Sequence, residues 1–370
     1  MLTRFGSSQL LASSTFLALA GLVMVYSASA PRAELLTDSS AFYLTRQLGG
    51  LLIGIIGAYV LFRIPLGWVG KLSFPLWVVS CLLIAATFTP LGLTENGATR
   101  WLAMGPWSFQ PLELAKLAVV LALARWLSEN QNRMSDVRVS LAVPALIALV
   151  PTGLLLLQPD FGGALLIVLF TGAIVFAAGA RLDHLGAAAL VTLPALFIAA
   201  TARGYRLSRL EAFWNPWDDP FGQGYQLIQS LLAFAAGGLT GSGLGAGEQK
   251  LGFLPEAHTD FILSVVGEEV GLIGVLGILF CLLLLGLSSL SIASKARNAH
   301  ATLIATGCGV LIWLQGILNA GVSVGLVPTT GATLPLFSYG RSSLIVSLAA
   351  IGLMLNVARP SRAGRAGWRT

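Results

Sequence analysis

The sequence predicts an all-α polytopic membrane protein of about ten transmembrane helices, with one large extracytoplasmic loop between helices 7 and 8. Three observations predict it. The 370 residues are 56% hydrophobic and only 10% charged, with a mean hydropathy of +0.82, where soluble domains carry roughly a quarter charged residues. Apolar runs long enough to cross a bilayer recur along the chain. Lysine and arginine crowd alternate connections, as the positive-inside rule expects: with the N-terminus inside, the even connections hold Arg63, Lys71, Arg125, Arg133, Arg138, Arg181, Lys295 and Arg297, while the short odd ones hold Arg32, Arg46, Arg100 and Arg341. Both termini are therefore expected in the cytoplasm.

Leu10 to Tyr26 opens the series. Ser27-Ala28-Ser29-Ala30 has the small-residue look of a signal cleavage site, but the run is long enough to span and Pro31 follows at once, so this segment is expected to be a retained helix. Further spans are expected at about 43–62, 70–89, 112–128, 140–157, 162–179, 185–201, 262–290, 301–323 and 335–358. They form one membrane domain, 1–358, followed by a short basic cytoplasmic tail, 359–370. Cys81, Cys281 and Cys308 all lie in apolar runs and read as packing residues, not as a disulfide framework. The net charge of +6 has no soluble domain to display it to nucleic acid; it reports topology and contact with anionic membrane lipid.

Two outer connections are long. The first runs from Thr89 to Pro111. The second, about 202–260, has at its centre Gln226 to Gly238, an amphipathic pattern ending in Gly-Gly, with Trp214, Trp217 and Tyr225 suited to the membrane interface.

The stretch KLGFLPEAHTDFILSVVGEEVG, Lys250 to Gly271, concentrates charge where the chain otherwise avoids it. Asp260 stands immediately before an apolar run, and a carboxylate at the mouth of a membrane helix is costly enough to be a functional candidate. Thr259 or Asp260 would also cap a helix starting at Phe261; the two roles are compatible. His258 is a candidate proton carrier near neutral pH or a plain hydrogen-bonding residue, and Glu256 after Pro255 is a second carboxylate or a turn opener. Gln110, Glu113 and Lys116 share one face of the fourth helix at i, i+3 spacing, either as a helix-locking ion pair or as part of the cavity that holds Asp260. Arg100-Trp101 lies in the first outer connection, and Arg203, Arg206 and Arg209 head the long one. Arginine suits phosphate and tryptophan offers a sugar platform. Together these side chains suggest an anionic, phosphate-bearing, partly lipidic substrate approached from outside. No Gly-x-x-x-x-Gly-Lys loop and no metal-spaced cysteine or histidine cluster occurs.

Several motifs in order resemble one family: VMVYSAS (23–29), NGATRWL with GPWSFQPLELAKL (96–117), QPDFGGALL (158–166), RLSRLEAFWNPWDDPFGQGYQLIQSLLAF (206–234), LPEAHTDFI (254–262), GEEVGLIG (267–274) and GLVPTTGATLPLFSYGRSS (325–343). The chain is identified by them as similar to the SEDS proteins (shape, elongation, division and sporulation), which polymerise peptidoglycan glycan strands. VMVYSAS, Ala257 and ATLPLFSYG favour the division-type branch over the elongation type; Arg341 in place of the usual glycine, and Gly252 where division-type members often have glutamate, depart from the pattern. The resemblance implies ten transmembrane helices and an inverting glycosyltransferase that uses lipid II as donor and acceptor in the bacterial cytoplasmic membrane. It places the essential aspartate on Asp260, the outer-loop tryptophan on Trp101 and the intramembrane lysine on Lys116, with Ser338 and Tyr339 in a supporting motif. The implied partners are a class B penicillin-binding protein, a cross-linking transpeptidase, and other proteins of the division or elongation machinery. A divalent cation, magnesium or manganese, is an open alternative to arginine for the leaving diphosphate, with Asp260 or Glu256 as ligand. The rival reading from another class is a lipid II flippase. Against it, no internal repeat is evident, and the carboxylate sits at the outer face instead of mid-membrane.

Overall fold

The computed structural model describes residues 2–95, 97–105, 107–201 and 204–359; the expected tail beyond 359 and Arg203 lie outside them. The chain runs through α1 (Leu2–Thr37), α2 (Phe42–Arg63), α3 (Leu66–Ala86), a small sheet of β1 (Gly92–Glu95), β2 (Ala98–Met104) and β3 (Trp107–Phe109), then α4 (Pro111–Glu129), α5 (Val143–Leu157), α6 (Phe161–Ala177), α7 (Leu182–Thr201), α8 (Gly204–Trp214), α9 (Tyr225–Gly237), α10 (Ile262–Glu269), α11 (Gly271–Ala293), α12 (Ala299–Ser323) and α13 (Arg341–Val357). Among the described residues, seven helices are long and apolar enough to cross a membrane. α6 and α13 are apolar at 17 residues each, about 26 Å of rise. α4 is the tenth long element and carries Glu113, Lys116, Arg125 and Glu129 within its 19 residues.

α4 lies at the centre and holds those charges in pairs, Glu113 with Lys116 inside the bundle and Arg125 with Glu129 at its partly exposed end. Its residues from Leu117 through Ala124 are all buried, and it packs against α3, α5, α6, α12 and α13. At the other extreme, none of the apolar window of α7 is buried. Exposed Leu190, Phe197, Leu52 and Ile56 are the side chains a lipid environment would cover, since hydrocarbon tails are as apolar as they are. Local chemistry fixes the helix starts: Pro111 opens α4, where its missing N–H costs nothing, and Asp160 caps α6 by accepting from Gly163 N at 3.0 Å.

The structure changes three expectations. The span at 262–290 is broken: α10 ends at Glu269 and α11 begins at Gly271, whose φ of +74 favours glycine, and where a Cβ would meet Gly241 N at 2.4 Å. Asp260 does not cap α10, which starts after Phe261 with no side-chain cap. The last span starts at Arg341, and 335–340 is loop. The helix expected at 226–238 is present as α9. The antiparallel sheet, ordered β1-β2-β3 with a bulge at Leu93/Thr94, was not expected.

Glu268 and Glu269 tie the long loop down. Lys250 Nζ donates to Glu269 Oε1 at 2.5 Å, Ser27 Oγ of α1 donates to the same carboxylate, and Glu268 Oε1 accepts from Glu248 N at 2.7 Å. Both carboxylates are buried and fully engaged.

Candidate functional site

A cavity of about 550 Å³ opens where the sheet, the start of α2, the segment 256–260 and the loop before α13 meet. Arg100, Trp101 and Gln110 line it from the sheet and its exit, and Glu256, His258 and Asp260 from the long loop. Tyr339 joins them from the last loop. A smaller cavity of about 30 Å³ adjoins it, sharing Arg100, Gln110, Gly331 and Thr333, and contains Glu113, Lys116 and Asp160.

Asp260 is held by its backbone. Asn319 Nδ2, from α12, donates to Asp260 O and to Ala332 O, each at 2.7 Å, so one amide pins the aspartate segment to the loop at 331–333. Gly331 beside it takes φ +74, a backbone conformation that favours glycine; a Cβ there would be in ordinary contact with Asp260 Oδ2, at 3.7 Å. Burial pushes the Asp260 pKa up to about 7, and Glu256 adds to the rise by repulsion; Arg209 and Arg100 oppose it. A carboxyl poised near neutrality in a cleft is what general acid–base chemistry requires.

His258 does not meet the expectation of a proton carrier near neutral pH. Its ring packs 4.7 Å from that of Tyr43 and 5.5 Å from that of Tyr339, and burial lowers its pKa to about 4. It is a neutral wall residue, and its carbonyl accepts from Tyr339 N at 2.9 Å. Glu256, at φ +56, shapes the turn: its carbonyl accepts from Thr259 N and Phe261 N, and its carboxylate from Thr259 Oγ1 at 2.9 Å.

Lys116 Nζ donates to Glu113 Oε1 at 2.8 Å and to Gln315 Oε1 at 2.6 Å. Gln315 Nε2 continues to Thr333 O at 2.9 Å. The pair therefore reaches, through Gln315 and from beside the main cavity, the loop at 331–333 to which the Asp260 segment is pinned. Arg100 Nη2 donates to Pro159 O at 2.5 Å, and its Nε is buried with no partner among the described residues. Arg209, on α8, donates to Thr329 O; the side chain of Arg206 is outside the described residues. Ser338 is absent from the cavity wall. It is buried, accepts from Leu334 N at 2.9 Å and lends its carbonyl to Gln47, so it shapes the loop.

Sequence reasoning passed over Arg46, Arg341, Gln315 and Asn319 as site residues. The arginines had been counted only as topology or departures from pattern. Gln315 and Asn319 are four apart in an apolar helix, a signal that was available. For a cation, the cavity offers two carboxylates, Asp260 and Glu256, and among the described residues no three His, Cys, Asp or Glu side chains converge. That set suits an ion carried in on substrate phosphates, as magnesium often is, better than a resident one.

The fold and site define a polytopic membrane protein with a polar, arginine-walled cleft at one end of its bundle. The chain belongs to the FtsW/RodA/SpoVE family, described as cell cycle proteins, whose model matches residues 8–363. It is 40% identical over 91% of its length to a probable peptidoglycan glycosyltransferase FtsW of Trichlorobacter lovleyi, covering 89% of that protein. It is 39% identical over 92% of its length to stage V sporulation protein E of Bacillus subtilis, covering 94%. Among solved structures, it superposes with a TM-score of 0.76 at 36% identity on a chain from work on the coordination of polymerization and crosslinking by a peptidoglycan synthase complex, covering 94% of this chain and 96% of that one. The rod-shape-determining protein RodA of Thermus thermophilus gives 0.70 at 33% identity, with 98% and 97% covered.

Proposed function

We propose that the chain is a peptidoglycan glycosyltransferase that polymerises lipid II into glycan strands, for septal wall in bacterial cell division. It sits in the cytoplasmic membrane with both termini inside and the cavity on the outer face. The observation that carries the reading is Asp260, a carboxyl with a pKa of about 7, on the wall of a cavity that also presents Arg100 and Trp101.

Asp260 takes the proton from the 4-hydroxyl of the acceptor's N-acetylglucosamine. That oxygen attacks the anomeric carbon of the donor's N-acetylmuramic acid and inverts it, and undecaprenyl diphosphate leaves. A positioned base contributes about 10²–10⁴ in rate. Arg100, beside the base, is placed to stabilise charge on the departing diphosphate, and Trp101 to support a sugar ring. Lys116, through Gln315, holds the Thr333 segment. The partner is a penicillin-binding transpeptidase that cross-links the new strand.

The test is polymerisation of purified lipid II by the protein with its transpeptidase, wild type beside Asp260→Asn. Polymer from wild type alone is expected. Polymer from both removes the base; none from either, with lipid II moved across vesicles, makes the protein a transporter.

A further inference from the structure

Arg341 is a buried cation in a place that disfavours one. It is the first residue of α13, preceded by Gly340, and the N-terminal end of a helix carries partial positive charge. The residue is 8% exposed, and among the described residues it joins no ion pair. Its recorded contacts are neutral: Nη2 donates to Ser108 Oγ at 3.2 Å, and the guanidinium lies 5.0 Å from the centre of the Trp107 ring. A guanidinium has five donors, and a buried charge without a counter-charge is expensive.

The surrounding structure nevertheless builds this position firmly. Gly50 of α2 makes way for the arginine stem, since a Cβ there would lie 3.2 Å from Arg341 Cγ. Gln47 clamps the preceding loop from both sides, donating to Ser338 O at 2.9 Å and accepting from Gly340 N at 3.2 Å. Arg46, one residue earlier on α2, lines the same cavity, with its guanidinium 4.2 Å from the centre of the Phe42 ring. Two arginines, one of them the first residue of α13, thus line one cavity.

We infer that Arg341, Arg46 and the first turn of α13 form an oxyanion subsite, the place where a phosphate or carboxylate oxygen of the bound substrate lodges. The subsite rests on the reading of the cavity as the lipid II site. Its ligand chemistry is shared by two parts of that molecule, the diphosphate and the carboxylates of the stem peptide.

The experiment measures binding of lipid II to the full-length protein in detergent micelles, comparing wild type, Arg341→Gln and Arg341→Lys, each checked by its melting temperature. The same series is run on lipid II with its stem carboxylates amidated. Loss of a charge-assisted hydrogen bond predicts about 10- to 100-fold weaker binding for Arg341→Gln, with partial recovery in Arg341→Lys. A penalty equal on both lipids assigns the oxyanion to the diphosphate; one that vanishes on the amidated lipid assigns it to the peptide. Arg341→Gln binding both lipids within about twofold of wild type overturns the subsite, as does a loss that Arg341→Lys fails to recover at an unchanged melting temperature. Polymerisation by wild type is scored separately. Its absence, with the binding penalty intact, removes the polymerase reading and keeps the subsite.

Discussion

Asp260 and Glu256 behave as an unequal pair. Asp260 is raised to about 7 by burial and then by Glu256, so a base acting through it is half-ionised near neutrality and turnover should rise with pH through that value. Glu256→Gln removes the repulsion, lowers the Asp260 pKa and should carry the acid limb of the rate profile to lower pH; an unmoved limb means another group titrates. The same shift costs stability. The folded-state value lies above the ordinary 3.8, so the Asp260 contribution is complete below that pH and is lost as pH rises through about 7. Asp260→Asn should therefore melt higher than wild type above pH 7, and equally with it at low pH. The place of Asp260 on the cavity wall was legible in sequence, because a carboxylate abutting an apolar run is either a helix cap or a site residue, and here it caps nothing. Arg341 and Arg46 were not, because an arginine beginning an apolar run looks the same whether it anchors a helix end or points into a cavity.

At the level of elements, α4 and α12 are joined by polar side chains inside an apolar bundle. Lys116→Met leaves Glu113 buried without its cation and should destabilise the protein in detergent by about 3–5 kcal/mol. The double variant with Glu113→Gln should regain most of that loss, since no charge is then left unpaired. If melting recovers while polymerisation stays low, Lys116 also acts on substrate; if both recover together, the pair is a brace. The i, i+3 spacing announced this pair. The break between α10 and α11 was only half legible: Glu268 and Glu269 interrupt the apolar run just before it, but a single span over 262–290 has the length of a membrane helix, and the turn itself is marked only by Gly271. The sheet was hidden for a different reason: strands of 4, 7 and 3 residues are too short for alternation to register.

For the whole molecule, the long apolar elements were legible as lengths, and the ten long helices among the described residues follow the expected runs apart from the two displaced starts. The sides of the membrane are a separate matter, carried by arginine and lysine counts. A cysteine in place of exposed Phe221 should react with a membrane-impermeant thiol reagent on intact spheroplasts, and one in place of Asp136 only after lysis; the reverse pattern would invert the orientation. Native Cys81 and Cys308 are buried; Cys281, half-buried in α11, is replaced by serine to keep the background low. The walls of the main cavity come from residues as far apart as Arg32 and Ser343. A ribosome still making this protein therefore holds no partial enzyme: the cleft closes only once the final helix has entered the bilayer, so chains cut short by stalling or proteolysis compete for membrane space without consuming a cell-wall precursor.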